Sequence, residues 1–100
     1  MVQHIGLQRE DETGGVLASY APEGLPLEVL DAAPTDSACV RFIDPYGDTV
    51  FNQLQLPVLI EELRQMGEQS NDNVLRKRLS SVVEFLASAG VHQYVRFVGD

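Results

Sequence analysis

Cys39-Val40-Arg41-Phe42-Ile43-Asp44-Pro45-Tyr46-Gly47-Asp48-Thr49-Val50-Phe51-Asn52-Gln53-Leu54 is the stretch from which the fold is read. Its first five residues are β-branched, aromatic or small and apolar around one arginine, the composition of a strand. Asp44, Pro45 and Gly47 fill the first, second and fourth positions of a type I turn. Proline presets φ, aspartate accepts from its own turn, and glycine is expected here to supply a left-handed backbone. Asp48 to Leu54 then reads as a return strand. The stretch predicts a β-hairpin, and Gly47→Val is expected to weaken it through the strain of a positive φ.

Toward the C-terminus the period changes. Pro57 suits the first turn of a helix. Leu59, Leu63 and Met66 follow at helical spacing, with Gly67 as a stop signal. Ser70-Asn71-Asp72-Asn73 is rich in helix-capping residues. Leu75, Leu79, Val82, Val83 and Leu86 then form one apolar stripe, the clearest helix signal in the chain, closed by Gly90. Gln93 to Val98 reads as a closing strand. Val95-Arg96-Phe97-Val98 is similar to Val40-Arg41-Phe42-Ile43, so the two are expected as neighbouring strands with Arg41 and Arg96 on the face away from the helices.

Toward the N-terminus, breakers dominate. Val2 to Gln8 and Val16 to Tyr20 are strand candidates joined by the charged turn Arg9 to Gly15. Pro22, Gly24, Pro26 and Pro34 interrupt the next section. Leu27-Glu28-Val29-Leu30 between them reads as a weak strand or irregular segment.

The expected architecture is a single α+β domain over residues 1–100. It has an antiparallel-dominated sheet of about 4–5 strands with two helices packed on one face, in the order β-β-(β)-β-β-α-α-β. Alternating βαβ units, the mark of a doubly wound parallel sheet, are missing.

One hundred residues make one small core. No apolar run approaches the ~20 residues that span a bilayer. The net charge of −8 argues against nucleic acid, whose phosphates call for a basic excess. A single cysteine excludes an intrachain disulfide and any multi-cysteine zinc pattern. Neither a signal-peptide pattern nor a C-terminal lipidation motif is seen, so a cytoplasmic protein is expected.

Few residues promise chemistry. His4 and His92 lack the spaced partners of a metal site and read as surface or edge-strand histidines. Asp44 and Asp48 are explained by the turn between them. Gly14-Gly15 lacks the lysine of a phosphate loop. Cys39 sits in an apolar run, and Ser80 and Ser81 in a helix interior. No catalytic residue, cofactor or metal is assigned. The charge is uneven: residues 1–63 carry a net −9, and residues 64–100, with Arg76-Lys77-Arg78, carry +1. An acidic surface on a small domain serves solubility, or steers a fast encounter with a basic protein. The candidate contacts are Tyr46 at the turn tip, then Tyr20 and Tyr94, with the acids Glu10, Asp11, Glu12, Asp44 and Asp48.

The blocks Arg41 to Gln55 and His92 to Asp100 resemble a small, uncharacterised group of bacterial proteins, a resemblance that implies no activity. In size and acidity the chain is also similar to bacterial immunity proteins, which neutralise a partner toxin. That resemblance implies a non-enzymatic, protein-binding role against a basic partner. A homodimeric regulatory domain, joined through a sheet face or edge, is the alternative. A small enzyme whose residues converge only in the fold is the third.

Overall fold

The computed structural model describes residues 4–20 and 24–99. Val2, Pro22, Glu23 and Asp100, which figure in the sequence reading, lie outside the described residues. The elements are β1 (His4–Glu10), β2 (Val16–Ser19), β3 (Leu25–Pro26), α1 (Leu27–Ala32), a 3-10 turn (Val40–Phe42), β4 (Asp48–Phe51), α2 (Leu56–Gln69), α3 (Asn73–Ala87) and β5 (Tyr94–Val98). This is an α+β fold built on one antiparallel sheet. The strand path is β2-β1-β5-β4, with β3 also pairing β1. No helix among the described residues is long and apolar enough to cross a membrane.

Alternation decides which face each strand buries. Ile5 and Leu7 of β1, Phe51 of β4 and Val95 and Phe97 of β5 are all buried. In register, Leu7 faces Phe97, and Phe51 faces Val95. The Phe51 and Phe97 rings meet edge to face at 5.6 Å. Leu59 and Leu63 of α2 and Leu79, Val82 and Leu86 of α3 join them in one core. Fully burying such a side chain contributes about 1.5–3 kcal/mol each. Among the described residues the other sheet face carries no helix.

The helices follow their sequence signals. Asp72 caps α3, its side chain accepting the N–H groups of Val74 and Leu75. Pro57 occupies the first turn of α2. Gly67 does not stop that helix. It is buried where α2 meets α3, and a Cβ there would stand 3.7 Å from Leu79. Arg9 donates to the Ser88 carbonyl and hydroxyl just past the end of α3, a favoured place for a cation.

The hairpin at 39–54 does not form. Residues 40–42 make a 3-10 turn, and β5, not this segment, pairs with β4. The cause lies on α2. The Glu62 carboxylate accepts the backbone N–H groups of Ala38, Cys39 and Val40. Ser37 adds its hydroxyl and carbonyl to the Arg41 N–H and Nε. Three N–H groups gathered on one carboxylate curl the chain, and such a charge-assisted cluster outweighs local strand propensity. Val40 and Val95 therefore do not sit on neighbouring strands, and Arg41 does not share a sheet face with Arg96. Arg41 instead stacks on Phe42 at 4.4 Å.

Two shorter segments also depart from the strand reading. Leu27–Ala32 is helix α1, not strand, and buries Val29. The return strand ends at Phe51, because Asn52 Oδ1 accepts the N–H groups of Leu54 and Gln55 in a side-chain turn.

Candidate functional site

On β5 the sequence Tyr94-Val95-Arg96-Phe97-Val98 sends Val95 and Phe97 into the core. Tyr94, Arg96 and Val98 go to the helix-free face. Arg96 stands near the middle of that face. Its Nε donates to Glu10 Oε2 at 2.7 Å and its Nη1 to Asp48 Oδ2 at 3.2 Å. Both partners are diagonal cross-strand neighbours, Glu10 lying opposite Tyr94 and Asp48 opposite Val98. Glu10 is only 4% exposed, and its carboxylate oxygens accept from the guanidinium. The hydrogen bond and then the charge of Glu10 hold the Arg96 guanidinium above its ordinary pKa; burial opposes them, and Asp48 adds lesser raising contributions.

The segment between the 3-10 turn and β4 is pinned at several points. Tyr46 N–H donates to Asp44 Oδ1 at 2.8 Å, and Asp44 N–H to Thr49 Oγ1 at 2.9 Å. Gly99 N–H donates to the Gly47 carbonyl at 2.8 Å. Gly99 approaches so closely that a Cβ on it would overlap the Gly47 carbonyl. Gly47 itself has no positive φ, so the left-handed backbone expected there is not used. The turn exists, but its glycine does not carry it. At its tip Tyr46 is 83% exposed, with Phe42 exposed just upstream.

Asp11 organises the opposite end of the sheet. Its Oδ1 accepts from Thr13 N–H, Thr13 Oγ1 and Gly15 N–H. The Thr13 hydroxyl first, then the Gly15 and Thr13 N–H groups, hold its carboxyl below the ordinary aspartate range. Glu12 is exposed beside it.

The expected contact residues therefore separate. Asp44, Tyr46 and Asp48 cluster at one end of the sheet. Glu10, Asp11, Glu12 and Tyr94 lie at the other, and Arg96 links the two through Glu10 and Asp48. Tyr20 belongs to neither group. Its hydroxyl donates to Ser81 Oγ at 2.7 Å and its ring meets Phe85 edge-on, on the helix side. Glu62 was missed as an organising residue, since nothing local in sequence joins it to residues 38–40.

Other candidates for chemistry are structurally occupied. Among the described residues no three His, Cys, Asp or Glu side chains gather as metal ligands would. His4 Nε2 meets Arg78 Nη1 at 2.9 Å. His92 adopts φ +63° and donates its N–H to Gln53. Cys39 is buried, and burial first, then the Glu62 charge, pushes its thiol pKa up. A concavity of about 540 Å³ beside α2 and α3 is lined by Leu56, Ile60, Val83 and Leu86. Its two charged residues, Glu61 and Arg64, pair with each other at 2.6 Å. Compared with family models, curated proteins and solved structures, the chain matches none.

Proposed function

We propose that the chain is a non-enzymatic protein-binding module that meets a basic partner protein, in the manner of an immunity-type inhibitor of a toxin domain. The observation that carries this reading is Tyr46. It stands 83% exposed on a turn pinned by backbone bonds, with Asp44 and Asp48 two residues to either side in sequence. An exposed tyrosine on a bonded turn suits an interface anchor, because tyrosine brings a large contact area with few rotatable bonds. The chain's net charge of −8 would speed the encounter with a basic surface. A lone buried thiol fits a reducing compartment such as the cytoplasm.

Affinity capture from the source organism tests the reading. Wild type is expected to retain a basic protein that Tyr46→Ala and Asp44→Ala do not. Equal retention by all three, or retention of nothing, would count against the module and against this turn.

A further inference from the structure

We propose that two copies of this chain pair edge to edge through β4, antiparallel, with Asp48 of each copy opposite Val50 of the other. This goes beyond the reading above and rests on strand register and the placement of charges along it.

β4 ends the path β2-β1-β5-β4, so among the described residues one of its edges has no strand beside it. In an antiparallel ladder, alternate residues turn their N–H and C=O toward the same neighbour. Gly99 N–H bonds the Gly47 carbonyl, and Thr49 faces Phe97. The odd-numbered residues of β4 therefore serve β5. Asp48 and Val50 turn their backbone groups outward, and an open row of this kind is a template for another strand.

Three registers keep like faces together. Asp48 opposite Asp48 sets two carboxylates against each other, which is destabilising. Val50 opposite Val50 sets Asp48 against Asn52. The Asn52 N–H is already taken by Gln55 Oε1, and its carbonyl by Gln55 and Leu56. Only Asp48 opposite Val50 uses every outward group, in two reciprocal pairs related by a twofold axis.

The charges agree with that register. Each Asp48 lies 3.2 Å from its own Arg96. It would also fall in the same row as the Arg96 of the second copy, since Val50 faces Arg96 across the ladder. Anions and cations then alternate across the join. The turns at the two ends of β4, which hold Tyr46 and Leu54, flank the join, so pairing would compete with the partner contact proposed above. Tyr46 at 83% and Leu54 at 79% are the most exposed large hydrophobic side chains among the described residues.

The net charge of −8 on each copy opposes pairing, so added salt should tighten it. Binding of a basic partner has the opposite salt dependence.

Sedimentation equilibrium tests the proposal on the purified chain. Wild type is expected to dimerise, several-fold more tightly at high salt. Val50→Asp sets a second carboxylate opposite Asp48 and should give monomers. Val50→Lys sets a cation there and should keep the dimer, as should Leu17→Asp on the other sheet edge. Thr49→Cys lies on the twofold in a non-hydrogen-bonded pair, with Cα atoms about 4.5 Å apart. That is within disulfide range, so mild oxidation should yield a covalent dimer even if the Val50 variants fold poorly. A wild type that stays monomeric at every salt, equal effects of Val50→Asp and Val50→Lys, loss of the dimer by Leu17→Asp, or no cross-link in Thr49→Cys would each overturn the proposal.

Discussion

Arg96 donates from Nε to Glu10 at 2.7 Å on the sheet face that carries no helix, and Glu10 is nonetheless 4% exposed. The arginine is what makes that carboxylate tolerable there. Removing one member of such a pair leaves the other desolvated and alone, which costs more than removing both. Arg96→Met should therefore lower the thermal midpoint more than Asp48→Asn does, because Asp48 is half exposed. The double variant Arg96→Met with Glu10→Gln should recover part of the loss. A double-mutant cycle in thermal denaturation checks this, and strictly additive losses would contradict it.

Glu62 fixes the path of residues 38–40 through three backbone N–H groups. Glu62→Ala should cost about 2 kcal/mol, the scale of hydrogen bonds to a charged acceptor, and Glu62→Gln roughly half of that. Urea titration would show a lower midpoint with an unchanged slope.

That same contact explains where the sequence could be read and where it could not. α3 was legible because its stripe from Leu75 to Leu86 and its Asp72 cap are local signals. β5, β1 and β2 were legible from alternation and from the charged turn between Arg9 and Gly15. Residues 39–43 carry strand composition too, but a carboxylate more than 20 residues away in sequence overrides it. The helix-free face was half legible. Arg96 lies on it as expected, while its pairing with Glu10 spans 86 residues and has no local signature. Tyr20 looked like a surface aromatic, and only the packing of Phe85 shows otherwise.

Two glycines beside the Tyr46 turn should behave differently. At Gly99 a Cβ would lie 2.6 Å from the Asp44 carbonyl, inside fixed backbone. Gly99→Ala should cost at least about 2 kcal/mol, as overpacking does. At Gly47 the nearest atom is a side-chain atom, Asp44 Oδ2 at 2.9 Å, not backbone, and φ is not positive. Gly47→Ala should stay within about 0.5 kcal/mol. Chemical denaturation of the two variants side by side checks the order.

Asp11 gives the stability a pH dependence of known sign. Its carboxyl is held below its ordinary pKa in the folded chain. It therefore favours the folded state above the unfolded value of about 3.9, and this contribution is lost as pH falls through the lower folded value. Asp11→Asn lacks it. The gap in thermal midpoint between wild type and Asp11→Asn should be widest near neutral pH and close in acid. A gap independent of pH would contradict the assignment.

Cys39 should be inert while the chain is folded, because it is buried and its thiol pKa is raised. Alkylation at mildly alkaline pH should be far slower than for a free thiol and should accelerate with added urea. Rapid modification of the native chain would show that the segment from Ser37 to Ile43 opens readily.

The most direct measurement is the association rate with the captured partner as a function of ionic strength. An acidic module meeting a basic protein should bind fastest at low salt, with the rate falling by about tenfold or more as charges are screened. Tyr46→Ala should chiefly raise the dissociation rate. An association rate indifferent to salt, with Tyr46→Ala binding as wild type does, would contradict the account.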